Sequence, residues 1–191
     1  NFAPEAFVGD DQTTAASYPS LFGVLYGSCK NLTIKDSKII ATATTPSCGF
    51  LGGYVGTSGK PALVENVHIE GEISGGSCLG GFGGQSREGT FKNCTSKVKI
   101  TSGGTDVGGF IGKTAVSTHL ENCTAEVELV PTEAVSGNLR YAGIVGYTTG
   151  NSMKVINCSA KGTITSVGKS VRTAGGIVAY AGAGECEVSN C

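Results

Sequence analysis

The stretch LENCTAEVEL at residues 120–129 recurs along the chain as FKNCTSKVKI at residues 91–100 and VINCSAKGTI at residues 155–164. After each Asn, alternate residues are apolar or small, as with Cys123 and Ala125, which is the pattern of a β-strand with one buried face. Before the Asn, the apolar residue lies two positions back, so the alternation breaks there. We therefore predict a sharp corner at this Asn, because Asn tolerates left-handed backbone geometry.

A glycine-rich strand such as VGGFIG at residues 107–112 precedes each corner. The six repeats align on Gly23, Gly53, Gly81, Gly109, Gly143 and Gly176, and on Asn31, Asn66, Asn93, Asn122, Asn157 and Asn190. Repeats of this length that contain short strands are typical of solenoids. We predict an all-β fold, a parallel β-helix (β-solenoid) of about six turns with 28–34 residues per turn. In the glycine strand, the predicted core row is Tyr54, Phe82, Phe110, Ile144 and Ile177.

Composition agrees with this fold and argues against several partners. Glycine provides 31 of 191 residues, which disfavours helices. The net charge of −1 would not concentrate nucleic acid, and no apolar run approaches the roughly 20 residues that span a bilayer. We expect no nucleic-acid partner and no membrane span. Because the chain begins without Met or a signal-like segment, we expect a processed chain or a fragment.

The repeats define one domain, residues 21–191, preceded by residues 1–20, which lack the pattern. We predict that residues 1–20 are a leader or a capping or linking segment. The last repeat stops at Asn190 and Cys191, where the next strand is expected, which predicts an open edge. We expect this edge to be covered by end-to-end self-association or by further repeats of the same protein.

Outward positions after the corner alternate in charge from one repeat to the next. Four residues after each Asn, the series is Lys35, Glu70, Lys97, Glu126 and Lys161. Two residues further on, it is Ser37, Glu72, Lys99, Glu128 and Thr163. In parallel turns about 4.8 Å apart, each charge would lie between two opposite charges. We predict that these ladders select the register more than they add stability.

The eight cysteines are disulfide candidates in an oxidising compartment: Cys29, Cys48, Cys78, Cys94, Cys123, Cys158, Cys186 and Cys191. The repeat places four of them in one inward column, where Cys94 with Cys123 and Cys158 with Cys191 could pair. Cys48 with Cys78 is a further candidate pair. The alternative is a set of reduced, buried thiols. With no Cys-x-x-Cys and only two His, we expect no metal and no cofactor.

The Gly-Gly-(Phe/Tyr/Ile)-(Ile/Val)-Gly strand followed by Asn-Cys-Thr-x-x-Val resembles the GLUG-motif repeats of large surface-exposed and secreted proteins, including adhesin-like bacterial ones. The best matches are residues 108–112 and 142–146, and the resemblance extends over residues 21–191. It implies a β-solenoid stalk or adhesion element and brings no catalytic residues. The many cysteines and sequons here are unlike typical bacterial members.

Four Asn residues begin Asn-x-Ser/Thr sequons and are N-glycosylation candidates: Asn31, Asn93, Asn122 and Asn157. A glycan needs an exposed Asn, whereas we expect an Asn ladder to lie inside the corner, so the two readings are alternatives at each site. The hydroxyl residue two positions after the Asn is kept in the copies and points outward by parity. This favours glycosylation.

No catalytic cluster is visible. The Asp residues are scattered, the stacked Glu residues alternate with Lys, and His68 and His119 occupy non-equivalent repeat positions. We predict a non-enzymatic protein, secreted or at the cell surface: a glycosylated, disulfide-stabilised β-solenoid in a stalk, adhesin or head-to-tail filament. The alternative is a carbohydrate-binding or carbohydrate-cleaving β-helix, which would need an exposed groove with aromatics and clustered carboxylates.

Overall fold

The structure, a computed structural model, is all-β. It describes residues 18–41, 47–132, 138–149, 152–165, 171, 173–182 and 184–191. Of the predicted N-terminal segment, only residues 18–20 fall within this part of the chain. No helix long and apolar enough to cross a membrane occurs among the described residues.

Eighteen short strands make up the described fold. They are β1 (Val24–Leu25), β2 (Gly27–Ile40), β3 (Ser47–Cys48), β4 (Gly52–Val55), β5 (Ala62–Ser74), β6 (Cys78–Gly80), β7 (Gly83–Lys92), β8 (Thr95–Ser102), β9 (Asp106–Gly108), β10 (Ile111–Glu121), β11 (Thr124–Pro131), β12 (Arg140–Ala142), β13 (Val145–Thr148), β14 (Ser152–Ile156), β15 (Ser159–Ile164), β16 (Thr173–Gly175), β17 (Val178–Ala181) and β18 (Glu185–Ser189).

These strands stack in parallel as the sides of a β-solenoid. In the turn at residues 78–102, β6 forms side A, residues 83–86 of β7 form side B, residues 88–92 form side C, and β8 forms side D. Side A is a separate sheet of β3, β6, β9, β12 and β16. The other three sides are bonded into one large sheet that bends at the corners. The predicted parallel β-solenoid is confirmed.

About four turns are complete. We number the turns by their corner Asn, from Asn31 in turn 1 to Asn190 in turn 6. Turns 2 to 5, which begin at β3, β6, β9 and β12, have strands on all four sides. Within the described residues, turn 1 lacks a strand on side A and turn 6 lacks one on side D. The prediction of six turns is therefore too high. It counted the six copies of the motif, and the first and last copies belong to turns that lack a strand on one side.

The corner between sides C and D has the same left-handed conformation in every turn. Its residue is always Asn, with φ of 54°, 53°, 53°, 54°, 53° and 53° from turn 1 to turn 6. An L-residue in this conformation is disfavoured by roughly 1–2 kcal/mol, and the short polar side chain of Asn makes it accessible. The predicted corner is confirmed.

The interior is filled by stacked apolar side chains. Phe82 and Phe110 are fully buried, with ring centroids 4.6 Å apart and planes 3° from parallel. Ile144 continues this row and is also fully buried. Tyr54 does not belong to the row, because Leu51 bonds to Phe82 through N–H···O and takes the equivalent place. Tyr54 pairs instead with Gln85 on side B.

This register overturns one of the predicted equivalences. Gly52 lies opposite Gly83, so Gly53 corresponds to Gly84 and not to Gly81. The segment Leu-Gly-Gly occurs at both 51–53 and 79–81, and aligning the two copies shifts turn 2 by three residues. Glycines give no inward or outward signal with which to choose between the registers.

The glycine column formed by Gly81, Gly109, Gly143 and Gly176 gives a matched test of packing. A Cβ on Gly109 would collide with the Gly143 carbonyl oxygen and lie 2.6 Å from Val127 Cγ1, whereas one on Gly176 would meet nothing within 4 Å. We expect Gly109→Ala to lower the free energy of unfolding by about 1–3 kcal/mol, and Gly176→Ala to change it by less than about 0.5 kcal/mol. Equal denaturant midpoints for the two variants would contradict the packing described here.

Candidate functional site

Sides C and D carry the charge series. In its side D column, Glu70, Lys97, Glu126 and Lys161 lie on neighbouring strands in direct register. Lys97 Nζ is 3.1 Å from Glu70 Oε1, and Lys161 Nζ is 3.1 Å from Glu126 Oε2. The hydrogen bond and charge of Glu70 raise the pKa of the Lys97 ammonium. Lys35 lies at the start of this column in turn 1, next to an irregularity in register.

That irregularity corrects the second series. Asp36 has φ of 50°, and the register between turns 1 and 2 shifts so that Lys38, not Ser37, lies opposite Glu72. Lys38 Nζ is 3.7 Å from Glu72 Oε2. Ser37 turns inward, is buried, and donates its hydroxyl to the Lys35 carbonyl at 3.0 Å. The bulge was not predicted, because a single extra residue leaves only a local break in the alternation.

A third alternating series, which the sequence analysis missed, lies on side C directly before the corner. It comprises Lys30, Glu65, Lys92 and Glu121, with Lys30 Nζ 2.8 Å from Glu65 Oε2 and Lys92 Nζ 3.1 Å from Glu121 Oε2. Comparing the residues directly before each corner Asn would have revealed this series in the sequence. In all three series turns 1 and 3 carry Lys and turns 2 and 4 carry Glu, so neighbouring turns have opposite charge.

The corner Asn side chains form a ladder on the outer surface. Asn66 Nδ2 donates to Asn31 Oδ1 at 3.2 Å, and both Asn122 to Asn93 and Asn157 to Asn122 span 3.3 Å. All five side chains belong to exposed residues. The expectation that an Asn ladder must face inward is wrong, because the left-handed bend points these side chains to solvent. Exposure therefore does not separate the ladder from glycosylation.

The cysteine column lies just inside this corner. Cys94, Cys123 and Cys158 are buried, Cys191 at the end is exposed, and all eight cysteines are free thiols. The Cys123 and Cys158 backbone N–H groups each donate to the sulfur of the next cysteine at 3.4 Å. Hydrogen bonding with Cys123 lowers the pKa of Cys158 to about 7 and also lowers that of Cys94. Hydrogen bonds with Cys158 and Cys94 raise the pKa of the Cys123 thiol, so the pKa shifts alternate in direction along these three cysteines.

The remaining cysteines have no cysteine opposite them. Cys48 is opposite Leu79 and Cys78 is opposite Ser47, so period two points the two side chains to different faces. The Cys48 thiol donates to the Pro19 carbonyl at 3.2 Å, and the Cys78 thiol donates to Asp106 Oδ2 at 3.7 Å. The predicted pair of Cys48 with Cys78 is therefore wrong. Cys29 and Cys186 are likewise opposite other residue types, Val64 and Met153.

Side B carries a feature that sequence reading did not find. We call it the tyrosine strip: a single outward column of Tyr54, Gln85, Lys113, Tyr147 and Tyr180. Because turn 2 was aligned three residues out of register, Tyr54 was assigned to the core. In the structure Phe50 is equivalent to Gly81, and aligning the sequence on these two residues places Tyr54 in the same column as Gln85.

A polar column on side A lies against the tyrosine strip. Its central pair is Asp106 and Arg140, whose Oδ1 and Nε atoms are 2.6 Å apart. Asp106 is only 3% exposed, and burial raises the pKa of its carboxyl group while the Arg140 charge opposes that rise. The Arg140 guanidinium also lies over the Tyr147 ring, 3.7 Å from its centroid. Further along, Gln85 Nε2 donates to Ser47 Oγ at 2.7 Å.

Among the described residues, no group of three or more His, Cys, Asp or Glu is arranged to hold a metal ion. Two shallow troughs of about 510 and 610 Å³ run along side D between its outward columns. Their carboxylates are Asp36 and the ladder residues Glu70, Glu72, Glu126 and Glu128, which stand among ladder lysines. These troughs do not present the two free carboxylates that glycoside hydrolysis uses.

The ladders are tested by reversing one charge. We expect Glu126→Lys, which puts a cation between Lys97 and Lys161, to lower the urea midpoint at low salt more than Glu126→Gln does. The gap between the two variants should narrow at high ionic strength, since these side chains are exposed and screened. Identical midpoints for the two variants at low salt would show that the ladder does not select the register.

In the comparison with known proteins, one family model matches part of the chain. The model of the GLUG motif matches residues 75–101, which correspond to one turn of the solenoid, from the end of β5 to β8. No curated protein matches the chain, and no solved structure matches it. The chain carries a GLUG motif on a parallel β-solenoid, consistent with a GLUG-motif-like repeat protein.

Proposed function

We propose that the protein is a non-enzymatic structural element outside the cell, a solenoid rod that forms part of a surface stalk, adhesin or filament. The observation that carries this proposal is the unbroken stacking of equivalent positions: corner Asn, charge and cysteine columns all run along the axis. Each turn is bonded only to the turns beside it, so the unit can be extended by adding turns without change of design.

The last turn of the described solenoid is more open than the first, which supports its association with a further turn. At the first turn, the inward residues Leu25 and Ile39 are 6% and 2% exposed. At the last turn, Val188 is 45% exposed, and Cys186 is exposed as well. The strand β18 pairs only with β14, so its other edge is free among the described residues. Covering this edge with another turn would bury apolar surface and pair its backbone groups.

Charge also favours stacking of the last turn on the first. Glu187 of β18 and Lys30 of β2 are exposed. Aligned on the corner Asn residues, Glu187 lies opposite Ser28, on a neighbouring strand and two residues from Lys30, and the Asn ladder is extended. A second copy, or a further repeat with the same parity of charge, satisfies both conditions.

The extracellular part of the proposal is supported by the cysteine column and the sequons. Pairing Cys94 with Cys123 and Cys158 with Cys191 would use all four thiols of the column. The Asn and hydroxyl residues of the sequons are exposed, as at Asn122 and Thr124. Because neighbouring rungs are about 4.8 Å apart, adjacent Asn residues cannot both carry a bulky glycan. Glycosylation on alternate rungs fits the ladder.

End-to-end association is tested by placing a charge on the open end. We expect the apparent molar mass of the 19.2 kDa chain to rise with concentration in light scattering, and Val188→Glu to hold it at the monomer value. Val116→Glu is the matched control, because Val116 is 38% exposed on a corner away from the end, and it should behave as the unmodified chain. A chain that stays monomeric at every concentration would remove the filament from the proposal.

The extracellular assignment is tested by peptide mass spectrometry of natively produced protein, without reduction, before and after enzymatic removal of glycans. We expect linked peptides for Cys94 with Cys123 and Cys158 with Cys191, and a glycan on at least one sequon Asn. Bare Asn residues together with free thiols would contradict the secreted glycoprotein and leave the solenoid unaffected.

A further inference from the structure

The tyrosine strip differs from the charge ladders in how its cations are neutralised. Seven ladder-type lysines lie within 4 Å of a carboxylate: Lys30, Lys38, Lys92, Lys97, Lys99, Lys154 and Lys161. Lys113 and the neighbouring Arg87 have no such ion pair among the described residues. Each instead faces a tyrosine: Lys113 Nζ is 5.6 Å from the Tyr147 ring centroid, and Arg87 Cζ is 5.6 Å from that of Tyr54. Lys113 and Arg87 therefore lack the direct carboxylate contacts that neutralise the ladder lysines.

The aromatic groups of the strip are held in place from behind. Arg140 is fixed by its ion pair with buried Asp106, and its guanidinium packs on the Tyr147 ring. Tyr180 lies 5.5 Å from Tyr147, centroid to centroid, and is 47% exposed. A rigid aromatic surface loses little conformational entropy when a ligand stacks on it.

Hydrogen-bonding groups lie between the aromatic residues. Gln85 is partly exposed and uses one amide N–H on Ser47 Oγ, and its second N–H and its carbonyl oxygen have no partner among the described residues. Tyrosine rings, a planar amide and cations in one row match the apolar faces, hydroxyl groups and acidic substituents of a charged sugar chain.

We propose that the tyrosine strip binds an acidic polysaccharide, extended parallel to the solenoid axis. The strip spans five consecutive rungs at about 4.8 Å each, so it offers a row of aromatic, amide and cationic contacts along the axis. Sugar rings stack on Tyr147 and Tyr180, and carboxylate or sulfate groups pair with Lys113 and Arg87. This goes beyond a structural role, because it gives one side of the rod a ligand.

The charge of the strip favours a sugar polymer over single-stranded nucleic acid. Nucleic acid carries a phosphate at every nucleotide and draws its affinity largely from neutralising them. Among the described residues, the strip and the neighbouring Arg87 supply only two cations that have no carboxylate within 4 Å, and the whole chain has a net charge of −1. A chain with spaced acidic groups matches this lower density of positive charge.

The binding test uses the full chain and calorimetric titration with three probes: a galacturonate hexasaccharide, a neutral cello-hexasaccharide and a thymidylate dodecamer. We expect the galacturonate oligomer to bind most tightly, and its affinity to fall as salt rises. Absence of galacturonate binding, equal binding of the neutral sugar, or tighter binding of the thymidylate oligomer would each overturn the proposal.

Matched variants locate the site. Lys113→Gln should weaken galacturonate binding by about threefold to fivefold, the loss expected for one exposed ion pair, and Tyr180→Ala should also weaken it. Lys35→Gln removes the same charge from side D, where Lys35 likewise has no ion pair among the described residues, and should leave the affinity unchanged. Equal losses for Lys113→Gln and Lys35→Gln would mean that only the overall charge matters, and would refute the site. Light scattering measures end-to-end association separately, so polysaccharide binding and filament formation are tested independently of each other.

Discussion

The structure depends on one bend. Every turn must return the chain to the same place so that the next turn can pair with it at about 4.8 Å, and the left-handed Asn at the corner of sides C and D does this with φ of 53° or 54° in all six copies. A residue with a branched or larger side chain would resist that conformation. Because the bend is identical each time, residues at a fixed distance from the Asn fall into columns. The Asn ladder, the cysteine column and the charge series all follow from it.

The charge columns distinguish each turn from its neighbours. The three charge series give turns 1 and 3 lysines and turns 2 and 4 glutamates, so a turn paired with its second neighbour would meet its own charge. Exposed pairs of this kind add little to stability. Their effect is to disfavour wrong pairings between turns, which the similar sequences of the repeats would otherwise allow.

Sides C and D could be predicted from sequence, because their positions alternate between apolar and charged side chains around a recognisable Asn. Sides A and B could not. The glycines in Leu51-Gly52-Gly53 and Leu79-Gly80-Gly81 have no side chain to mark a face, so the more obvious alignment was three residues from the register that backbone pairing selects. The bulge at Asp36 was not predicted either, because it shifts the register by only one residue within a single turn. In both cases the register is set by hydrogen bonding between neighbouring turns, and the local sequence pattern allows more than one register.

The alignment error also concealed the difference between the sides of the rod. With Tyr54 assigned to the core, the tyrosines and cations of side B were scattered. In the correct register, the three tyrosines and Lys113 form one column beside the ion pair of buried Asp106 with Arg140. Sides C and D pair nearly all their cations with carboxylates from the next turn, so little charge remains there to attract a ligand. On and beside side B, Lys113 and Arg87 have no carboxylate within 4 Å among the described residues, and each faces a tyrosine. The same stacking therefore pairs opposite charges on sides C and D and brings tyrosines and an unpaired lysine together on side B.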